Sequence, residues 1–246
     1  MPDRQIQAAA AALRGKRIMA FTGAGISVES GIAPFRGPGG LWSKVDPARF
    51  EISAFHADPA GSWALIKELF FDTLGVAEPN AAHLALAELE RADRVLGVVT
   101  QNIDGLHQAA GSRVVYEFHG NTRRLRCLSC DRTMPVAGTD LSTLPPRCPS
   151  CRGLLKPDII FFGEAIPAEA QAASMGLAKF CDACLVVGST GEVLPAAYVP
   201  EEAHRHGAVV VEVNVQPSQF TRRITDVFVQ APAGAALSAL ARLLLD

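Results

Sequence analysis

The chain has 246 residues, 49% of them hydrophobic, and a formal net charge of −2 at pH 7. Such a chain buries a substantial core and has room for one large domain and one small one, which excludes a disordered protein. The nearly balanced charge argues against a protein that coats nucleic acid or an anionic membrane with its whole surface. No apolar stretch approaches the roughly 20 residues that span a bilayer, and residues 1–4 lack the order of a signal peptide. We therefore expect a cytoplasmic protein without a membrane partner.

The hydrophobic pattern predicts strands that alternate with helices along most of the chain. Strands are predicted at 17–21, 95–99, 114–117, 158–162, 184–187, 209–213 and 227–229. Helices are predicted near 4–14, 81–91, 104–110, 167–179, 196–206 and 234–245. This alternation is typical of a parallel sheet, so the sequence predicts an α/β fold.

Two insertions interrupt the alternation. Residues 37–80 open with a Gly-Pro-Gly-Gly run and carry six aromatic residues, which indicates a small helical module or lid. Residues 123–155 hold four cysteines, several prolines and few apolar residues. The second insertion has too few apolar residues to form a core without a metal.

A polar segment, Thr100–His107, directly follows the buried strand predicted at 95–99. In open α/β sheets ligands bind beyond the carboxyl ends of the strands. We therefore expect Gln101, Asn102 and Asp104 to face a binding crevice. His107 lies on the helix that follows, and we expect it to be a packed or capping residue.

Gly23 and Gly25 follow the first predicted strand and precede a predicted helix, a turn in which the backbone approaches a phosphate closely. The third glycine of the usual fingerprint is missing because Val28 stands there, so an ordinary tight turn is the alternative. The loop that follows carries Arg36, a candidate partner for a pyrophosphate or, alternatively, for a surface carboxylate.

His119 comes just after the strand predicted at 114–117 and just before Gly120. An imidazole at a strand end can act as a general base near neutral pH. The alternative for a single histidine is a structural hydrogen-bonding role.

Four of the six cysteines fit the spacing C-x2-C-x17-C-x2-C, which is typical of a tetrahedral zinc site. They are Cys127, Cys130, Cys148 and Cys151. Four thiolates leave no open coordination position, so the zinc is expected to be structural. The remaining pair, Cys181 and Cys184, lies where a helix leads into a strand and is expected in the core, with a redox pair as the alternative.

Basic residues outnumber acidic ones by seven to two between Gly120 and Lys156. The seven are Arg123, Arg124, Arg126, Arg132, Arg147, Arg152 and Lys156. A solvated surface is the simple interpretation, and contact of a zinc ribbon with nucleic acid is the alternative.

Taken in order, these motifs resemble those of the sirtuin family of NAD-dependent protein deacylases, over nearly the whole chain. The motifs that carry the resemblance are Gly23–Ser27, Ser30–Ile32 with Phe35–Arg36, Thr100–His107, His119–Gly120, the four cysteines, Lys156–Asp158 with Phe162–Glu164, Gly188–Thr190 and Asn214. The resemblance implies a Rossmann-like NAD-binding domain, with helices on both faces of its sheet, formed by residues 1–36, 81–122 and 156–246. It also implies a small domain formed by the helical insertion 37–80 and a zinc-ribbon module at 123–155.

The resemblance further implies that NAD and an acetylated protein or peptide meet in the cleft between the two domains. The implied NAD-binding residues are Gly23, Ala24, Gly25, Ser27, Phe35, Arg36, Gln101, Asn102, Ile103, Asp104, Gly188, Ser189, Thr190, Asn214, Val215 and Ala233. The implied peptide-binding residues, which clamp the substrate as an added strand, are His119, Ile160, Phe162, Gly163, Glu164 and Val193.

The implied catalytic residues are His119, Asn102 and Asp104. In the implied reaction the acetyl oxygen attacks the ribose C1′ as nicotinamide leaves, and Asp104 stabilises the cationic sugar. His119 then removes a proton from the ribose hydroxyls, and the products are lysine, nicotinamide and O-acetyl-ADP-ribose. Members that prefer succinyl groups carry a Tyr and an Arg on the helix of the insertion. Since Trp63–Asp72 contains neither, we expect an apolar pocket for acetyl or longer aliphatic groups.

The chain departs from the family pattern at Gly191–Glu192, where apolar residues are expected. Two other functions stay open at this point. One is mono-ADP-ribosyl transfer to a protein, which uses the same cleavage of NAD with a different acceptor. The other is an NAD-responsive module that binds nucleic acid or protein, although such a sensor would need no general base at His119.

Overall fold

The computed structural model of the chain describes residues 2–37, 39–72 and 76–246. Residues 38 and 73–75, which belong to the predicted insertion 37–80, lie outside the described residues, as does Met1. The described chain forms a six-stranded parallel sheet with helices on both faces, and a separate three-stranded antiparallel sheet.

The helices and strands fall close to most of the predicted positions. The strands are β1 (Ile18–Thr22), β2 (Val95–Thr100), β3 (Val115–Glu117), β4 (Gly120–Cys127), β5 (Thr133–Pro135), β6 (Leu155–Ile159), β7 (Ala183–Val187), β8 (Val209–Asn214) and β9 (Val227–Gln230). The α-helices are α1 (Pro2–Leu13), α2 (Ile52–Ala57), α3 (Pro59–Ile66), α4 (Ala81–Arg91), α5 (Leu106–Ala109), α6 (Ala168–Phe180), α7 (Tyr198–Arg205) and α8 (Ala233–Leu245). Short 3₁₀ helices form at Ala24–Ser30, Leu41–Ser43 and Pro47–Phe50, and a π-helical turn at Lys67–Phe71.

The large sheet has the strand order β3-β2-β1-β7-β8-β9, and all neighbouring strands are parallel. The chain first builds outward from β1 to β2 and β3 and later returns to place β7 on the other side of β1. Ligands bind at such a switch point, beyond the carboxyl ends of the strands. Thr22 at the end of β1 is in register with Thr100 of β2 and Val187 of β7, so these three strands end together.

The strands of the large sheet are apolar because both faces are covered. Ile18 and Ala20 of β1 pack in one core with α1, α4 and α8, whereas Met19 and Phe21 pack in a second core with α6 and α7. Strands that are buried on both faces read as continuous apolar runs, which explains why the sequence pattern located them.

A third core lies between the helical insertion and the cysteine-bearing segment. Phe55, Trp63 and Ile66 of the insertion pack there against Leu125 of β4 and Leu155 of β6. The Trp63 indole N–H also donates a hydrogen bond of 2.8 Å to the carbonyl oxygen of Leu155. The two predicted insertions therefore share one core.

The prediction of a strand at 158–162 within the parallel sheet is wrong. The strand is Leu155–Ile159, and it pairs antiparallel with β4 in the small sheet. Strand β4 escaped prediction because three arginines interrupt its apolar pattern, and β6 was misplaced because an apolar run does not identify its pairing partner. Strand β6 also crosses the predicted domain boundary at residue 156, and the domain division itself stays a prediction.

No helix in the described part of the chain combines the length and the apolar character needed to cross a membrane.

Candidate active site

A cavity of about 600 Å³ lies at the carboxyl ends of the central strands, within the size range of cofactor and ligand sites. One side is formed by the loops that follow β1, β2 and β7, residues 23–25, 101–103 and 188–190, which we call the sheet wall. Four aromatic rings also line the cavity, and we call them the aromatic wall. They are Phe35, Trp42, Phe50 and Phe70.

Two loops of the sheet wall touch backbone to backbone. The Gly23 N–H donates to the Val187 carbonyl at 3.0 Å, and the Gly25 N–H donates to the Gly188 carbonyl at 2.9 Å. A Cβ atom on Gly25 would lie 2.6 Å from the Cα of Gly188, closer than real contacts allow. Gly188 also has a φ of +62°, in the left-handed region that favours glycine. The predicted turn therefore exists and lines the cavity, its glycines allow the two loops to touch, and it leads into the 3₁₀ helix Ala24–Ser30.

Asn102 connects the ends of β1 and β2 through its amide group. Its Nδ2 donates to the Gly23 carbonyl at 3.2 Å and to the Ser27 hydroxyl at 3.1 Å. The Ser27 hydroxyl donates in turn to the Asp104 carboxylate at 2.7 Å. Since Asn102 is buried, these bonds fix its orientation at the sheet wall.

His119 reaches the cavity from the short connection between β3 and β4. Its Nδ1 lies 3.2 Å from the carbonyl oxygen of Gln101. A carbonyl oxygen only accepts, so Nδ1 carries the proton and Nε2 of the neutral ring is free to accept one. Burial lowers the pKa of His119 below its ordinary value of 6.5, and the carbonyl offsets only part of this. The ring is therefore a neutral base near pH 7.

His107 lies behind the sheet wall, 1% exposed. Its Nε2 is 2.9 Å from the Thr22 hydroxyl, and its ring centroid is 4.9 Å from that of His83. Burial and the neighbouring His83 lower the pKa of His107 to about 3. The prediction that His107 is a packed residue is confirmed.

At the other end of the sheet wall, Ser189 joins two predicted cofactor residues. The Gln101 amide donates to the Ser189 hydroxyl at 2.9 Å, and the Asn214 amide donates to the Ser189 carbonyl at 3.0 Å. Val215 and Ala233 complete this end of the cavity.

The segment predicted to hold a peptide runs along the rim of the cavity. The N–H of Ile160 donates to the His119 carbonyl at 2.9 Å, so this segment is tied to the candidate base. The Glu164 carboxylate accepts from the buried Lys156 ammonium at 2.9 Å and from the Phe161 N–H at 2.8 Å. Glu164 therefore holds the turn of its own segment rather than pointing freely into the cavity.

The aromatic wall was not predicted as part of the site, apart from Phe35. Its rings pack tilted, as Phe35 and Trp42 with a centroid distance of 5.3 Å, or edge to face, as Trp42 and Phe50 at 5.2 Å. The concentration of aromatic residues in the insertion was visible in the sequence, but nothing in their spacing showed that they face the cofactor loops.

An ion pair crosses the rim of the cavity. The Arg36 guanidinium lies 3.0 Å from the Glu192 carboxylate, and both side chains are partly exposed. Arg36 belongs to the cavity lining, and Glu192 lies between the lining residues Thr190 and Val193.

The four predicted zinc ligands come together at one point. All four sulfur atoms lie within 4.8 Å of one another. The distances are 3.5 Å for Cys127 and Cys151 and 3.9 Å for Cys130 and Cys148. Sulfurs about 2.3 Å from a tetrahedral zinc lie about 3.8 Å apart, so the donor set fits this metal.

The third cysteine pair is buried in the core on one face of the large sheet, as predicted. Burial raises the pKa of Cys181 to about 11 and that of Cys184 well above its ordinary value. Thiols with such pKa values are poor nucleophiles, which argues against a redox pair.

The basic residues near the cysteines are largely paired. Four of the seven have carboxylate partners within salt-bridge distance: Arg123 with Glu117, Arg124 and Arg126 with Asp158, and Lys156 with Glu164. This pairing removes much of the positive charge that a nucleic-acid surface would need.

The cavity brings together nearly all of the predicted NAD- and peptide-binding residues. Only Ser27 and Asp104 lie outside its lining, behind Asn102 and joined to each other. Sequence reasoning assigned no role to several other lining residues. They include Glu29, Trp42, Phe50, Phe70, Phe161, Leu194 and Pro232.

The model of the Sir2 family matches residues 23–195. A relative from Pyrobaculum aerophilum, named NAD-dependent protein deacylase 2, is 47% identical over 229 residues, which are 92% of this chain and 90% of the relative.

Solved structures match over the whole fold. One, from work on the mechanism and regulation of Sir2 enzymes, has a TM-score of 0.89 and 40% identity and covers 100% of this chain and 99% of its own. Another, a Sir2 complex with deacetylated p53 peptide and 3′-O-acetyl ADP-ribose, has a TM-score of 0.90 and 34% identity. The match covers 96% of this chain and 97% of that one.

Proposed function

Since the chain belongs to the Sir2 family, we propose that it is an NAD-dependent protein-lysine deacetylase. It transfers the acetyl group of acetyl-lysine to the ADP-ribose of NAD and releases nicotinamide, O-acetyl-ADP-ribose and deacetylated lysine. The observation that carries the proposal is His119, a neutral base held by the Gln101 carbonyl at the switch point of the sheet.

The residues of the sheet wall fit a dinucleotide. The turn Gly23–Gly25 lines the cavity between a strand end and a helical turn, and we assign it to the pyrophosphate, because such a turn lets the backbone approach a phosphate closely. Arg36, which also lines the cavity, supplies a permanent cation for the phosphates. Ser189, Thr190, Asn214, Val215 and Ala233 hold the adenosine end. Together these groups bind and orient the substrate NAD.

The nicotinamide and its ribose lie against Gln101, Asn102 and Ile103 of the loop that follows β2. The Asp104 carboxylate acts there through Ser27 and Asn102. Its negative charge stabilises the positive charge that develops on the ribose as nicotinamide leaves. Phe35 covers the reacting sugar and excludes water.

His119 performs the proton transfer. With Nδ1 committed to the Gln101 carbonyl, Nε2 accepts a proton from a ribose hydroxyl, and the freed oxygen attacks the acyl carbon. The lowered pKa keeps the ring unprotonated near neutral pH, as this role requires.

The acetylated peptide binds between the segment Ile160–Glu164 and Val193. The aromatic wall makes the acyl end of the cavity apolar, which favours acetyl and longer aliphatic groups over succinyl. The segment Trp63–Asp72 contains no tyrosine or arginine that would pair with an acidic acyl group.

The four cysteines hold a structural zinc that supplies folding energy to the small sheet rather than chemistry. The domain boundaries and the cytoplasmic location expected from the sequence stay predictions.

The test is mass spectrometry of an acetyl-lysine peptide incubated with the protein, with and without NAD. We expect NAD-dependent loss of acetyl and formation of O-acetyl-ADP-ribose, and slower reaction of a matched succinyl peptide. His119→Ala should reduce the rate by about 10²- to 10⁴-fold, the usual contribution of a general base.

Consumption of NAD without deacetylation would instead favour ADP-ribosyl transfer to a protein. Unchanged NAD in the presence of every acyl peptide would contradict the proposal as a whole.

A further inference from the structure

The segment Lys156–Asp158 is one of the motifs that carry the family resemblance, but the proposed function gives Lys156 no role. Lys156 lies in β6 and is 3% exposed, so its ammonium group is buried. A buried ammonium costs free energy unless it is paired and hydrogen-bonded. The partners of this group therefore indicate what the side chain does.

The three protons of the Lys156 ammonium group meet three acceptors. Nζ donates to the carbonyl oxygens of Pro157 at 3.2 Å and Ile159 at 2.6 Å and to the Glu164 carboxylate at 2.9 Å. The Phe161 ring covers the same group, with Nζ 4.5 Å from the ring centroid. The donor capacity of the ammonium is thus satisfied, and all four partners belong to the stretch of chain that directly follows it.

This stretch contains Ile160–Glu164, the segment that the proposed function assigns to the peptide. The Ile160 N–H donates to the His119 carbonyl at 2.9 Å, and the Phe162 N–H donates to the Phe50 carbonyl at 2.9 Å. These two bonds tie the segment to the candidate base on one side and to the helical insertion on the other. The buried ammonium adds contacts from the interior of the protein.

The Lys156 ammonium group holds the two ends of this segment together. It binds the carbonyl of Ile159 just before the segment and the carboxylate of Glu164 at its end. The same carboxylate accepts from the Phe161 N–H at 2.8 Å, which fixes the turn between them. A peptide that is added as a strand binds through its main chain, so its affinity depends on the backbone geometry of the receiving segment. A segment that is ordered in advance also loses less conformational entropy on binding.

An apolar side chain of similar length would fill the space of Lys156 but would give none of these bonds. A buried ion pair is weak evidence for stability, because replacing both partners by uncharged groups is often neutral or stabilising for the fold. What lysine supplies is therefore a set of directed bonds to one segment.

We propose that Lys156 is a positioning residue for peptide substrates: from inside the protein it fixes the backbone of Ile160–Glu164 in the shape that receives the acetylated peptide as an added strand. The inference deepens the proposed deacetylase function and rests on it. Loss of the ammonium group is expected to weaken peptide binding and to leave the binding of NAD, which uses the sheet wall, unchanged.

The test compares wild type with Lys156→Met and with the double variant Lys156→Met/Glu164→Gln. Lys179→Met is the matched control, because Lys179 is an exposed lysine at the end of α6 that also faces a carboxylate, that of Glu202 at 3.7 Å. Each protein is assayed for the KM of one acetyl-lysine peptide, the KM of NAD at saturating peptide, and the midpoint of thermal unfolding. Deuterium exchange of the backbone amides of residues 160–164 is measured in the free proteins.

We expect Lys156→Met to raise the peptide KM by about tenfold or more, because bonds from a charged donor to the binding segment are lost. The KM for NAD should stay unchanged, and the backbone amides of Ile160–Glu164 should exchange faster. The unfolding midpoint should fall, because the Glu164 carboxylate loses its cation. The double variant removes that carboxylate charge, so it should regain thermal stability but keep the raised peptide KM.

Recovery of the peptide KM together with thermal stability in the double variant would overturn the inference, because Lys156 would then act only on folding. An unchanged peptide KM with unchanged amide exchange in Lys156→Met would overturn it as well. So would an equal rise of the KM values for NAD and peptide, or the same rise of the peptide KM in Lys179→Met.

Should Lys156→Met fail to fold, the double variant and Glu164→Gln alone carry the test. Glu164→Gln weakens the pair from its partly exposed side, and it should raise the peptide KM by about two- to fivefold with faster amide exchange. Unchanged values in both variants would overturn the inference. Failure of wild type to deacetylate the peptide would overturn the deacetylase function, whereas the amide exchange tests the role of Lys156 in ordering the segment without any activity.

Discussion

The two walls of the cavity are held together by different interactions. The sheet wall consists of backbone contacts between glycine loops and of amide side chains fixed by short hydrogen bonds, as at Asn102. The aromatic wall consists of rings that belong to the third core, together with β4 and β6 of the small sheet. The geometry of the sheet wall therefore depends on local contacts along the large sheet, whereas the aromatic wall depends on a core that includes Cys127 and Cys148 of the four-cysteine cluster.

Removal of the metal is expected to have the largest effect, and mainly on the aromatic wall. Structural zinc sites contribute roughly 10 kcal/mol or more to folding in small modules, so the small sheet should lose its packing. Of the two tryptophans of the chain, Trp63 lies in the third core and Trp42 packs against it, so their fluorescence reports on the aromatic wall and its core. We expect chelation, or Cys148→Ser, to shift tryptophan emission to longer wavelength and to abolish deacetylation.

Cys181→Ala is the matched control, since it removes a buried thiol from the core of the large sheet. It should leave tryptophan emission unchanged. Loss of metal, measured directly, with intact emission and activity would contradict the structural role of the four cysteines.

Gly25→Ala is expected to have a smaller effect that is confined to the sheet wall. The added methyl group would lie 2.6 Å from the Gly188 Cα, and the nearest atoms are all backbone atoms of Gly188, which cannot move aside as a side chain could. Backbone shifts of this kind cost about 1–3 kcal/mol, and we expect a roughly tenfold or greater rise in the KM for NAD with unchanged tryptophan emission.

Gly176→Ala provides the control for this variant. Gly176 lies in α6, and a Cβ there would meet no atom within 4 Å. The change should stabilise the helix by up to about 1 kcal/mol and leave the KM for NAD unchanged. Equal KM values for NAD in the two variants would show that the close contact of the loops is not needed for cofactor binding.

The difference between the two walls also explains which parts of the fold and of the site could be predicted from the sequence. The parallel sheet and the polar loops at its strand ends were predictable, because strands buried on both faces give continuous apolar runs and ligand loops follow them directly. The convergence of the four cysteines was predictable from their spacing, since their sulfur atoms lie within 4.8 Å of one another. That they bind zinc stays a prediction.

The aromatic wall and the small sheet were not predictable in the same way. Strand β4 alternates arginines with few apolar residues, and its arginines are neutralised by partners distant in sequence, such as Asp158. The run at 158–162 carried no information about its partner strand. Asp104 was predicted to face the cavity, but it lies outside the cavity lining and accepts a hydrogen bond from Ser27. Spacing along a loop does not decide which side chain turns inward.

The ion pair of Arg36 and Glu192 could not be predicted from the sequence. The sequence identified Glu192 only as a departure from a pattern and Arg36 only as a cation near a phosphate. Their contact joins two loops that are more than 150 residues apart in the chain, so only the fold reveals it.

The most direct test of the account is the pH dependence of kcat/KM for deacetylation. The base must be unprotonated, so the rate falls as the pH falls through the pKa of His119. Because burial lowers that pKa, we predict an acidic limb with its midpoint below 6.5, which disappears in the residual activity of His119→Ala. A midpoint at or above 6.5, or an acidic limb that persists unchanged in His119→Ala, would contradict the role of His119 as the buried neutral base.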